Sequence, residues 1–416
     1  MSAAADALVI GAGPSGAATA ILLARAGWQV VLVEQDSYPR RKVCGECINA
    51  ATLSVLDDLG IGAGVRIHAG PELRQIGWMS RSPTVVTDFP ACTEGPYRYG
   101  RALSRQYLDS LLVARARALG VEVLQPARVR TIHGGPGAYV CDVHPGDAGG
   151  SAVGAPQRVR AAVIIDAHGS WQRGPDFASH GTHYKGRSHR PSDLFAFKAV
   201  FQNARLEPGL LPVISLPGGY GGMVVADQGE TTLACCVRRD RLSACRARHR
   251  GLPAGEAVEM LLREDCRGVA ESLDGAHRTG AWLTVGPLRT GEHAAATGAV
   301  FPVGNAAAES HPLIGEGISM ALRSATLLAK ELLRHPPANA AHHATAIQRK
   351  YAQTRQRNFS TRLRVAALYA HVAMRPWLAA PAQRISARWP GILTQAARLA
   401  GKAANDYAQI SPGNHS

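Results

Sequence analysis

The chain has 416 residues, 46% of them hydrophobic, and its 46 Lys and Arg against 31 Asp and Glu give a net charge of +15. That length allows two or three packed units, and the apolar fraction excludes a disordered chain. No apolar run reaches the roughly 18 residues of a spanning helix, the first strand begins too early to leave room for a signal peptide, and eight cysteines without framework spacing suggest reduced thiols in a cytoplasm.

Residues 5–34 read as strand, turn, helix, strand. Leu8, Val9 and Ile10 form the continuous apolar run of a strand buried on both faces. Gly11-Ala12-Gly13-Pro14-Ser15-Gly16 follows: Gly11 for the turn, Gly13 for close approach to a pyrophosphate, Gly16 for close helix packing. Pro14 suits a helix start, and the free N–H groups there attract phosphate. A second strand, 29–33, ends in Glu34, eighteen positions after Gly16. An acid there accepts hydrogen bonds from ribose hydroxyls and disfavours a 2′-phosphate.

Cys44 and Cys47 then form a C-x-x-C. A redox pair lacks a thioredoxin-like context, and a zinc site lacks a second spaced pair, because Cys235 and Cys236 are adjacent. No metal site is expected. Arg101 to Asp109 leads into a helix with apolar Leu108, Leu111, Leu112 and Ala116. Gly134 to Pro156 reads as the hairpin loops of a small meander. The strand 161–165 enters Asp166-Ala167-His168-Gly169-Ser170-Trp171-Gln172-Arg173. Strand-like runs at 195–201, 222–225 and 231–237 predict an antiparallel wall of a substrate cavity, which residues 70–99 extend. Tyr220 is a candidate for that wall, and 255–273 reads as one helix. The strand 299–303 enters Gly304-Asn305, and a helix runs from Ile318 to Leu333.

From Arg334 to Asn405 there is no acidic residue, while arginines alternate with apolar residues such as Leu368, Trp377 and Ile385. Such helices can lie on an anionic membrane, line a channel for an acidic substrate, or form a solvated face. Without an aromatic stacking platform, nucleic acid is not expected as a partner.

Together these segments resemble the flavoprotein superfamily with the para-hydroxybenzoate hydroxylase fold, which includes aromatic hydroxylases, geranylgeranyl reductase-like enzymes and flavin-dependent halogenases. The resemblance implies an α/β fold: a Rossmann-like FAD-binding domain (1–70, 100–175, 285–335), an antiparallel β-sheet substrate domain (71–99, 176–284) and a C-terminal basic helical region (336–416). It implies FAD held by Gly11, Gly13, Pro14, Ser15, Gly16 and Glu34, with Gln35 and Arg41 alongside. Arg105 matches a pyrophosphate-binding arginine. Asp166, Ser170 and Arg173 match the family's second motif, with Ala167 replacing a glycine and Gly169 offering the lost freedom. Gly304 and Asn305 stand at the positions of a Gly-Asp pair that binds the ribityl chain. Gly315, Gly317 and Ile318 open a helix aimed at the flavin's pyrimidine edge. Pro312 matches a proline near the reactive ring carbon, with His311 beside it. Cys44, Gly45 and Glu46 resemble the flavin-proximal loop of the reductase and halogenase branches.

The leading functional expectation is FAD-dependent hydroxylation of an apolar or aromatic small molecule through a flavin C4a-hydroperoxide. The alternative is alkene reduction in an isoprenoid or polyketide. Halogenation ranks third, since a Trp-x-Trp-x-x-Pro segment is lacking, alongside a non-catalytic flavoprotein. With no second dinucleotide fold in view, NAD(P)H is expected as a transient reductant, or a partner flavin reductase or ferredoxin delivers electrons. His311, Pro312 and Tyr220 are the catalytic candidates.

Overall fold

A computed structural model describes residues 4–146, 154–170, 176–177, 190–293 and 297–401; Arg173 and the stretch 402–416 lie outside them. The first sheet is parallel at its centre. The strands Gln157–Asp166, Ala5–Ile10, Val30–Val33 and Glu122–Leu124 follow one another in register, and Val300–Pro302 joins beside Gln157–Asp166. Leu8, Val9, Ile164, Ile165 and Phe301 are fully buried here, because helices cover one face and packed chain the other. The helix Pro14–Arg25 packs against both Gly317–Leu332 and Arg105–Ala118. The expected meander is present: Ala127–His133, Tyr139–Pro145 and Gln157–Asp166 pair antiparallel.

The second sheet runs in the order 277–278, 194–202, 231–238, 219–225, 210–216, 75–79, 85–88. It is antiparallel except where Leu210–Leu216 lies parallel to Gln75–Met79, a strand supplied by a distant part of the chain. Alternation along the strands divides its two faces. Phe197, Leu233 and Val237 pack under helices of residues 239–272. Ala196, Tyr220 and Cys236 face the other way, toward Ala370 and Ala373. The single helix expected over 255–273 is two, Ala254–Asp265 and Arg267–Ser272. They break at Cys266, whose extended backbone (φ −139°, ψ 104°) buries its thiol.

The basic C-terminal region forms helices Ala344–Ala373, Pro376–Arg388 and Gly391–Leu399. The first anchors through buried Tyr351 and Phe359 in the core of the first sheet, so this region is not merely a solvated face. Among the described residues no helix is long and apolar enough to cross a membrane.

Candidate functional site

The three glycine motifs meet beyond the carboxyl ends of the parallel strands, where open α/β sheets place ligands. A Cβ added at Gly11 would fall 2.5 Å from the Ala167 carbonyl oxygen, joining the first motif to the second. One added at Gly304 would fall 2.4 Å from Ser15 Oγ, joining the first to the third. Asn305 Nδ2 donates to Ser170 Oγ at 2.8 Å, joining the second to the third. The turn freedom that Ala167 lacks is supplied by Gly169, at φ +85°, while Ala167 itself avoids positive φ. Gly317 opens the helix Gly317–Leu332 with no heavy atom within 4 Å of an added Cβ, so the helix start faces open space. Gly315 makes the αL turn before it, at φ 59°. Ile318 is buried in the core of the first sheet.

Positive charge gathers above the first turn. Arg105 Nη2 lies 3.5 Å from where a Gly13 Cβ would sit, and Asp109 holds its guanidinium at 2.8 and 2.7 Å. Arg40 bonds Glu34 at 3.0 Å and approaches Asp109 at 3.6 Å. Lys42 is nearby: burial, then the Arg40 and Arg105 charges, push its ammonium down to about 8. The pyrophosphate of FAD fits this cradle by charge and by the missing side chain at Gly13. Glu34 Oε2 accepts from Ala12 N–H at 2.8 Å, and Gln35 turns to Asp36 at 3.4 Å. Arg41, expected with the cofactor set, is turned outward: it is exposed, and its Nη1 donates to the Thr279 carbonyl at 2.7 Å. Arg40 and Lys42, its neighbours in the chain, turn toward Glu34 and Arg105 instead.

All eight cysteines are free, so Cys44 and Cys47 form no disulfide. Their loop is held from beneath. Glu46 has positive φ (60°), costly for a residue with a Cβ. Its buried carboxylate is gripped by Lys198 Nζ, by Thr232 Oγ1 at 2.6 Å and by Arg105 N–H at 3.1 Å. Lys198 and Thr232 belong to the second sheet, so this cluster ties the cysteine loop to the substrate wall.

One cavity of about 530 Å³ lies between the cysteine loop, the second sheet, the turn at Pro312–Gly315 and the C-terminal helices. Cys44, Gly45 and Pro312–Gly315 bound one side, Trp78, Val213 and Tyr220 of the second sheet form the floor, and the C-terminal helices form the roof. Among the described residues no charged one lines it. Trp78 Nε1 donates to Ser215 Oγ at 2.7 Å, so two of its few polar groups satisfy each other.

The catalytic candidates come together at its edge. Tyr220 OH and His311 Nδ1 are 2.9 Å apart, and Pro312 lines the cavity beside them. Burial lowers the His311 pKa, and burial raises the Tyr220 pKa well above its ordinary value. A neutral imidazole therefore shares one hydrogen bond with a protonated phenol, its direction set by the imidazole tautomer. Thr290 Oγ1, 3.5 Å from His311 Nε2, extends the line outward.

Residues 4–208 match the FAD binding domain family. The menaquinone reductase of Mycolicibacterium smegmatis is 28% identical over 346 residues, 79% of this chain and 76% of that protein. The menaquinone reductase of Mycobacterium tuberculosis is 33% identical over 132 residues, an alignment spanning 31% of each chain. In fold, the chain is similar to a myxobacterial FAD-dependent halogenase, CndH, with TM-score 0.72, 18% identity, and 96% of this chain and 91% of that one covered.

Proposed function

We propose that this chain, whose residues 4–208 match the FAD binding domain family and whose fold is similar to that of an FAD-dependent halogenase, is an FAD-dependent oxidoreductase that reduces a carbon–carbon double bond in an apolar, isoprenoid-type lipid. The uncharged cavity carries this reading. A site that offers no ion pair and almost no free hydrogen-bond partner selects an apolar substrate. The likeness to menaquinone reductase over most of both chains supports it.

When bound, FAD supplies the two reducing equivalents, and Arg105, Lys42, Gly13, Asn305 and the helix start at Gly317 are the groups that hold it. The remaining chemistry falls to the chain. Saturating an alkene adds a hydride at one carbon and a proton at the other. Tyr220 is the proton donor: its hydroxyl stands at the cavity wall, and its raised pKa keeps the proton in place until the reaction demands it. His311 holds that hydroxyl in position and passes a replacement proton from the Thr290 side. The apolar roof of C-terminal helices offers water in the cavity few hydrogen-bond partners. NAD(P)H or a partner reductase provides the electrons, and the free thiols suit a cytoplasmic setting.

Hydroxylation differs in its product. Incubating the holoenzyme with NADPH and a polyunsaturated isoprenoid should yield a product heavier by two hydrogens, in air or without it. A product heavier by one oxygen, formed only in air, overturns the reductase reading and restores hydroxylation.

A further inference from the structure

Eleven large apolar side chains are exposed among the described residues, and six of them lie between Leu368 and Leu399: Leu368, Trp377, Ile385, Trp389, Ile392 and Leu399. Trp377 is 70% exposed and Trp389 59%. Scattered exposed apolars are ordinary, but a cluster of this kind on neighbouring helices marks a contact surface. Leu368, Ile385 and Ile392 also line the cavity. Side chains that both face solvent and line the cavity are its rim, so the cavity opens within this apolar patch.

The charge carried by these helices has one sign, although exposed Asp88 stands on the strand beside Gly391–Leu399. Arg364, Arg384, Arg388 and Arg398 are exposed on the same helices, and residues 332–405 contain no Asp or Glu. Arg388 lies over the Trp389 ring at 5.9 Å. A second copy of the chain would bring this unbroken positive segment against itself. An acidic protein would satisfy the arginines but leave Trp377, Trp389 and Leu399 without a reason to be exposed. Tryptophan beside arginine around an apolar patch is the chemistry of the interface between anionic headgroups and acyl chains.

We propose that Pro376–Arg388 and Gly391–Leu399 lie on an anionic bilayer, with the cavity mouth turned into the acyl layer, so that the substrate enters from the membrane without crossing water. The inference rests on the reading of the cavity as a site for an isoprenoid-type lipid.

The test is flotation of the full-length, FAD-loaded protein with vesicles of phosphatidylcholine alone or with added phosphatidylglycerol, at low salt and without substrate. The protein should float with the anionic vesicles, and lipids brominated in the acyl chain should quench its tryptophan fluorescence. Binding to neutral vesicles should be weaker by about tenfold or more. W377A/W389A should lose vesicle binding by about tenfold or more, and R384Q/R388Q should lose the preference for anionic lipid. Both pairs are solvent-facing, so turnover of detergent-dispersed substrate should stay within about twofold of the parent, as expected of surface changes. The proposal is overturned if the protein ignores both vesicle types, or if W377A/W389A binds unchanged. It is also overturned if light scattering shows a dimer that W377A/W389A dissolves, or if the face binds an acidic carrier protein and no vesicle. Vesicle binding without reduction of dispersed isoprenoid would refute the reaction alone, and reduction without vesicle binding would refute this surface alone.

Discussion

Lys198→Met tests how the cysteine loop is held. Lys198 and Glu46 are 2% and 1% exposed, and Lys198 is the cation paired with that carboxylate. Removing it leaves a buried charge with only the Thr232 hydroxyl at 2.6 Å and the Arg105 N–H at 3.1 Å. Breaking a buried pair from one side costs about 3–5 kcal/mol. Unfolding entropy of about 2.1 cal/mol/K per residue gives about 0.9 kcal/mol/K for a chain of 416 residues melting as one unit. The melting temperature should therefore fall by about 3–6 °C, read by scanning calorimetry on the FAD-loaded protein. K198M/E46Q removes both charges and should recover much of that loss, because the uncompensated charge is the source of the cost. A Lys198→Met melting shift of under about 1 °C, or a double variant worse than the sum of the singles, would refute the argument.

Tyr220→Phe removes the hydroxyl while keeping the ring, so turnover should drop by about 10²-fold with FAD content unchanged; stopped-flow of the reductive and oxidative half-reactions separates the two. The His311 pKa is lowered by burial, so its neutral form prevails at neutral pH and its contribution to stability is present above about 6.5, the ordinary histidine value. That contribution, and the neutral partner of Tyr220, are lost as pH falls through the lowered value, giving an acid limb to the rate and to the melting temperature that His311→Gln should remove. On the alkaline side Tyr220 should show no loss near pH 10, because its pKa is raised. Burial and the neighbouring arginines push Lys42 down to about 8, so FAD affinity measured by fluorescence quenching should weaken as pH rises through that value, and Lys42→Met should flatten the profile. Gly304→Ala combines φ +63° with a Cβ 2.4 Å from Ser15 Oγ, a cost of about 1–3 kcal/mol, and should weaken FAD binding by about tenfold or more.

The cofactor side was legible because its chemistry is written in local spacing. Gly11 to Gly16, Glu34, Ser170 and Gly304 each follow a strand, and strands of a parallel sheet converge by necessity. Tyr220 and His311 were named separately, but nothing in the chain links positions 91 residues apart. Their pairing comes from strand register and from the turn before Gly315. The Lys198–Glu46–Thr232 cluster was not legible, since a lysine inside the run Phe195–Phe201 reads as an outward-facing residue of an alternating strand. The roof over the cavity was hidden for a related reason: amphipathic periodicity shows that a helix has an apolar side without showing what covers it. Three consecutive cations, Arg40, Arg41 and Lys42, offer no local clue to which of them turns outward, and in the structure it is Arg41.

Anaerobic single turnover bears most directly on the claim that this cavity holds a lipid alkene against the flavin. The holoenzyme is photoreduced without oxygen and mixed with a polyunsaturated isoprenoid. The account predicts that flavin absorbance returns with saturable dependence on the isoprenoid and that the product gains two hydrogens. Flavin that stays bleached until oxygen is admitted, with the isoprenoid recovered unchanged, would contradict it.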